Sequence, residues 1–251
     1  MANQPSYEDV RAATLVDPKA KKKISLSDYT THGGKVFEDK KAAKASLEED
    51  AAAINELQDA LFACKGGALL LVLQGIDTAG KDGVTKEVFK YTSPLGVRVH
   101  AFGRPSEIEL AHDYLWRIHA ATPRKGHVVV FNRSHYEDVL VAKVKKFAAP
   151  EAIERRYEEI NQFEKTLVEN GTRVLKVMLH VSKEEQGERL RERLEVPAKR
   201  WKFNPSDLED RKLWSKYQEA YEIMLQKCST SWAPGRAGTA VSRSRPRHRP
   251  D

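Results

Sequence analysis

Gly75-Ile76-Asp77-Thr78-Ala79-Gly80-Lys81-Asp82-Gly83 puts glycines, a lysine and two carboxylates within nine residues. The spacing is GxxxxGK, and the chemistry it offers is the cradling of phosphate. Backbone N–H groups and a helix N-terminus converge on the oxygens, Lys81 adds positive charge, and glycine lets the backbone come close. Gly75, Thr78, Ala79, Gly80, Asp82 and Gly83 are read as substrate-binding, and Lys81 as catalytic. The Ser or Thr that usually follows the lysine, giving its hydroxyl to magnesium, is replaced by Asp82, which argues against an ordinary ATP-binding loop. Asp77 would repel phosphate unless a metal or a proton lay between them, so it is read as a magnesium ligand or as a base orienting the acceptor phosphate. A turn or helix-capping role is the alternative for both aspartates.

A second cluster, Asn132-Arg133-Ser134-His135-Tyr136-Glu137-Asp138, follows the apolar run His127–Phe131. The carboxyl ends of parallel strands are where ligands bind in such folds. Arg133 has the planar fork that suits phosphoryl oxygens in a transition state, with a surface ion pair as the alternative. A third group, Arg189, Arg191, Arg193, Lys199, Arg200 and Lys202, supplies six cations in fourteen positions. A chain of phosphates needs such a row, and Arg189 and Arg193, four apart, share one helix face. The interleaved Glu184, Glu185, Glu188, Glu192 and Glu195 offer the plainer reading of a solvated helix. Trp201 and Phe203 are expected to pack this segment against the body and Trp116 to lie in the core. Arg104 and Asp113 are candidates for the acceptor site, and Arg117 for an ion pair.

Elements must hold these groups. Ala68–Gln74 reads as a strand buried on both faces, with further strands at Val97–Phe102, His127–Phe131 and Val174–Val181. Helices are expected from about Lys35 to Cys64, directly after the glycine loop, and over Ile108–His119, Glu151–Asn170, Lys183–Leu194 and Pro205–Gln226. Alternating strands and helices imply an α/β fold with a parallel sheet and right-handed crossovers. The expected organisation is an N-terminal arm and helix over 1–66, a core over 67–230 and an atypical basic, disordered tail over 231–251.

Composition narrows the class. The chain has 251 residues and a net charge of +7. From Gly235 onward it carries five arginines against one acid, so more than half of the excess lies in the tail. Two distant cysteines, Cys64 and Cys228, suggest neither a disulfide framework nor a zinc site. The longest apolar run, Ala68 to Leu73, is far too short to span a membrane, and no leader pattern opens the sequence. A cytoplasmic location without a membrane partner follows.

GIDTAGKDG, the segment Glu109–His119, FNRSHYEDV and Pro197–Phe203 together resemble the polyphosphate kinase 2 family, over about residues 20 to 230. The resemblance implies a three-layer P-loop kinase fold with a helical lid at about 183–212, Mg2+ dependence with Mn2+ as a substitute, and inorganic polyphosphate as donor. It implies adenine nucleotides as acceptors, with guanine as a second base, and a homo-oligomer. Residue by residue it makes Asp77 and Lys81 the functional pair of the loop, Asp77 the metal ligand, and Arg133 and Arg193 catalytic. Arg189 and Lys199 join the lid's donor contacts. Asn132 stands where many members have aspartate and Glu137 where many have an aromatic residue, a combination that resembles the subgroup accepting both nucleoside mono- and diphosphates. The implied reaction is a reversible in-line phosphoryl transfer without a covalent enzyme intermediate. An ATP-dependent nucleotide kinase and a basic nucleic-acid-binding P-loop protein are the competing readings. The tail matches no family pattern, and a coding frame displaced near Trp232 is the expectation drawn from it.

Overall fold

The computed structural model describes residues 6–19, 22–31 and 40–239. In chain order these form α1 (Tyr7–Thr14), α2 (Lys40–Cys64), β1 (Ala68–Gln74), α3 (Lys81–Val88), β2 (Val97–Ala101), α4 (Glu107–Leu110), α5 (Trp116–Ala120) and β3 (Val128–Asn132). They continue as α6 (Glu137–Val144), α7 (Pro150–Glu169), β4 (Thr172–Leu179), α8 (Lys183–Glu195), α9 (Ser206–Lys212), α10 (Trp214–Cys228) and β5 (Gly235–Gly238).

All strand pairings are parallel, in the order β2-β3-β1-β4-β5. β1 is central because every residue of ALLLVLQ is apolar up to its last, so it can be covered on both faces. Leu70 and Val72 point into a large core with α6, α7 and α10, while Leu71 and Leu73 pack with Val84 and Phe89 on the α3 side. That alternation is the strand's period of two, and it makes three layers. The register sets Leu73 beside Asn132, so the loop after β1 and the polar cluster after β3 emerge side by side.

Several expectations need correction. The segment Ile108–His119 is not one helix but α4 and α5, because the Asp113 carboxylate accepts from the Leu115 N–H at 2.9 Å and turns the chain between them. Pro205–Gln226 likewise divides at Leu213 into α9 and α10. Trp116 is not core: it is 43% exposed and stacks on His112 at 4.1 Å. Trp201, 78% exposed, does not fasten the lid to the body either.

The N-terminal arm is not separate from the core. Val16, Ile24 and Leu26 are buried in the main core, and the Ile24 and Leu26 N–H groups donate to Gln226 Oε1 and Glu222 Oε1 of α10, each at 2.8 Å. Leu15 bridges antiparallel to Arg236 of β5. The tail expected to be structureless contains β5, which pairs with β4 from Lys176↔Gly235 to Leu179↔Gly238 and buries Ala233 and Ala237. β5 is four residues long, and among the described residues no helix follows it. The arginines at 243–249 lie outside the described residues.

Beneath the β3 loop lies a buried charged group. Glu164 of α7 is fully buried and accepts from Lys176 Nζ of β4 at 2.5 Å and from Tyr136 Oη at 2.7 Å, with His135 Nε2 at 3.2 Å. Lys176 also donates to Cys228 O at 2.6 Å. Breaking such a pair on one side strands a charge in a dry interior. Lys176→Met is therefore expected to cost about 3–5 kcal/mol in denaturant unfolding. Burial pushes the Glu164 carboxyl up, but Lys176 and His135 pull it below its ordinary range. An acid lowered in the folded state contributes stability above its unfolded pKa of about 4.3, and that contribution is lost as pH falls through the folded value.

Candidate active site

β1 delivers the chain into the glycine loop, and α3 begins at Lys81. Gly75 adopts φ +149°, and a Cβ there would meet Leu179 O at 2.7 Å, so no side chain fits. Gly80 caps α3 at φ 104°, in the left-handed region. Thr78 takes φ 69° without being glycine, a strained backbone of the kind that clusters at ligand sites. Lys81 is buried and curls back to donate to Gly75 O at 2.6 Å and Ile76 O at 3.3 Å.

Burial pushes the Lys81 ammonium below its ordinary pKa of 10.5, and the nearby Asp77 carboxylate opposes this. Lys81 thus sheds its proton more readily than an exposed lysine. Affinity for a polyphosphate ligand is expected to weaken, as pH rises, before the ordinary lysine range is reached. Calorimetric titration across the alkaline range checks this, with Lys81→Ala removing that part of the pH dependence.

Arg133 also sits at positive φ, 63°, with its N–H bonded to Leu73 O at 3.0 Å. That turn aims its guanidinium back over the loop, where it pairs with Asp77 and lies 3.5 Å from Glu137 Oε2. Burial disfavours the charge on Arg133, but Glu137 and Asp77 outweigh it and hold the guanidinium protonated. Burial raises the Glu137 carboxyl, against the pull of Arg133 and Lys81. Asp82 accepts from Asn132 Nδ2 at 2.8 Å and from Lys202 Nζ at 2.6 Å.

The lid is built from α8, the 3-10 turn Pro197–Lys202 and α9. Ser182 caps α8 by accepting from the Glu185 N–H, which fixes where the helix starts and so which residues face the loop. Gln186, Arg189 and Arg193 recur at spacings of three and four. Arg189 donates to Thr78 O at 2.8 Å and to Glu185 at 2.7 Å, and Gln186 donates to Asp77 O at 3.4 Å. Arg193 bonds Asp207 of α9 at 2.7 Å and Lys202 O at 3.0 Å. Lys199 pairs with Glu192 at 2.5 Å. The interleaved glutamates do pair with lid cations, yet Arg189 reaches the phosphate loop at the same time.

Between loop and lid lies a cleft of about 570 Å³. Residues 77–83 form its floor, Asn132 and Arg133 one wall, and Arg189, Arg193, Lys199 and Lys202 its roof. Gly75 and Glu137 do not line the cleft but bind residues that do, Gly75 O accepting from Lys81 and Glu137 pairing with Arg133. Arg104 and Asp113 do not line the cleft: Arg104 is exposed on the loop after β2, and the Asp113 carboxylate is spent on its own turn. Ala101 and Phe102 line that side instead. Arg117 is an ion-pair residue, 3.7 Å from Glu109, and it donates to Gly103 O. Sequence reasoning passed over Asp207, Gln186 and the contact that Lys202 makes. The helical spacing to Arg189 could have flagged Gln186, whereas nothing local marks Asp207 as the partner of Arg193.

Among the described residues no group of three or more His, Cys, Asp or Glu side chains forms a metal cage. A magnesium ion is usually held by one or two carboxylates together with substrate phosphates, so Asp77 on the cleft floor suits it without a cage.

Comparison with known proteins agrees with this geometry. The family model "Polyphosphate kinase 2 (PPK2)" matches residues 37–245. The chain is 51% identical over 195 residues to an AMP/ADP-polyphosphate phosphotransferase of Meiothermus ruber, covering 78% of this chain and 73% of that protein. It is 38% identical over 224 residues to an ADP-polyphosphate phosphotransferase of Rhodopseudomonas palustris, covering 84% and 78%. The crystal structure of polyphosphate kinase 2 from Arthrobacter aurescens TC1 superposes with a TM-score of 0.83 at 41% identity, covering 87% of this chain and 79% of that one. With the phosphate loop, the β3 arginine and the lid assembled as described, the chain belongs to the polyphosphate kinase 2 family.

Proposed function

We propose that the chain transfers a phosphoryl group from inorganic polyphosphate to AMP and ADP, reversibly, and that Asn132 and Glu137 mark it as accepting both. The observation that carries this reading is the cleft itself, with cations on opposite sides: Lys81 and Arg133 from the core, Arg189, Arg193 and Lys199 from the lid. Two polyanions must meet there, and catalysis is chiefly positioning and charge neutralisation. An acceptor phosphate oxygen bonds to the terminal phosphorus as the bond to the penultimate phosphate breaks, leaving polyphosphate one unit shorter.

Lys81 leaves the loop carbonyls for phosphate oxygens, and Arg133 exchanges Asp77 for the transferring group. Arg193 and Arg189 cover that group from the lid and exclude water. A kinase-type phosphotransferase requires a divalent cation; Mg2+ at Asp77, with Mn2+ as substitute, would neutralise phosphate charge there. Adenine nucleotides, and guanine nucleotides beside them, are the proposed acceptors. Leu95, Val99, Ile108 and Leu110, exposed around the open β2 edge, favour a homo-oligomer. Among the described residues no helix is long and apolar enough to cross a membrane, and a cytoplasmic site of action suits the two free thiols. An ATP-dependent kinase is disfavoured because Asp82, bound to Asn132 and Lys202, offers no hydroxyl for a nucleotide-bound metal.

The test is incubation with Mg2+, long-chain polyphosphate and either AMP or ADP, without ATP, followed by chromatography of the nucleotides. ADP from AMP and ATP from ADP, both absent with Lys81→Ala, are the expected products. No product from either acceptor with folded protein would overturn the reading.

A further inference from the structure

At the mouth of the cleft three side chains from three elements form one chain of hydrogen bonds. Asn132 ends β3 and donates to one oxygen of Asp82; Lys202 ends the lid's 3-10 turn and donates to the other. Asp82, in the first turn of α3, therefore ties the sheet to the lid. The chemistry constrains each partner. A carboxylate at position 132 would face Asp82 oxygen to oxygen at hydrogen-bond distance, with no proton between like charges. The Lys202–Asp82 pair is partly exposed, 31% and 64% for the two side chains, so it is weak enough to open and close during a catalytic cycle.

We infer that Asp82 and Lys202 are specificity-determining partners of Asn132, the three acting as a clasp that sets how far the lid closes over the acceptor's phosphates. This rests on the polyphosphate:nucleotide reading. AMP and ADP differ by one phosphoryl group, so the same lid must close over acceptors of two lengths. A clasp of one neutral amide and one solvated ion pair yields to the longer acceptor and closes on the shorter one. Asn132 alone does not decide the acceptor; its effect passes through Asp82 to Lys202 and the Pro197–Lys202 turn.

Two measurements test this. The first is hydrogen–deuterium exchange of residues 197–202 without substrate, in the unmodified chain and in Lys202→Met. Faster exchange in the variant is expected, and unchanged exchange overturns the clasp whether or not the protein acts on polyphosphate. The second is kcat/KM for AMP and for ADP. Lys202→Met is expected to lower the AMP value about tenfold and the ADP value by no more than about threefold, since AMP needs the fuller closure. An unchanged AMP:ADP ratio overturns the specificity role.

Asn132→Asp should also lower the AMP value about tenfold. Adding Asp82→Asn restores a donor–acceptor pair with the polarity reversed and is expected to recover activity to within about threefold of the unmodified chain. Losses that simply multiply in the double variant overturn the coupling. If the unmodified chain acts on neither acceptor, the polyphosphate reading fails and takes the specificity role with it, while the exchange measurement still decides the clasp.

Discussion

Arg133→Ala is expected to lower kcat by about 10³–10⁵-fold, with a much smaller change in KM for either nucleotide. The size follows from what the residue faces. Its guanidinium is held over the phosphate loop by a left-handed turn at the end of β3, between Asp77 and Glu137. In the resting site it neutralises those carboxylates, and on the proposed reaction path it transfers that charge to the migrating phosphoryl group. Its contribution is therefore larger in the transition state than in the substrate complex, which is the condition for acting on kcat. Arg133→Lys keeps one charge but loses the planar fork that spans two acceptors, so it should recover only a small part of the activity. Steady-state kinetics with polyphosphate saturating separates the two parameters. A loss confined to KM would make Arg133 a binding residue only.

Asp77→Asn is expected to reduce turnover by about 10²–10³-fold and to move the Mg2+ dependence to higher concentration. The substitution is nearly isosteric. It leaves the backbone carbonyl that receives Gln186 from the lid, so the lid's seat on the loop persists. What is lost is the charge on the carboxylate that pairs with Arg133 and most strongly opposes the effect of burial on Lys81. Thermal unfolding should change little, and activity titrated against Mg2+ should show the displaced midpoint. Unchanged Mg2+ dependence together with reduced turnover would mean that Asp77 acts by orienting Arg133 and holds no cation.

The composition of local segments determined much of this protein. ALLLVLQ can satisfy its apolar surface only as a strand covered on both faces, and glycine at positions 75 and 80 permits the backbone that wraps phosphate. The sequence therefore specified the central strand, the loop after it, the parallel α/β class and the cations available to a lid, because each rests on residues adjacent in the chain. Other features depend on contacts between distant segments, which no local pattern encodes. Asp82 meets Lys202 across 120 positions, Arg193 finds Asp207 only when the lid folds back, and Glu164 can ionise in the interior because β4 brings Lys176 to it. Arg104 and Asp113 looked suitable by residue type, but Arg104 is exposed on the loop after β2 and the Asp113 carboxylate holds the turn between α4 and α5, so neither lines the cleft. The strand Gly235–Gly238 has almost no side-chain signal of its own; it is ordered because β4 offers an unpaired edge and the N-terminal arm covers it. Residue types set what chemistry was available, and tertiary packing decided which groups share a site, since charge pairing and edge completion act across space and not along the chain.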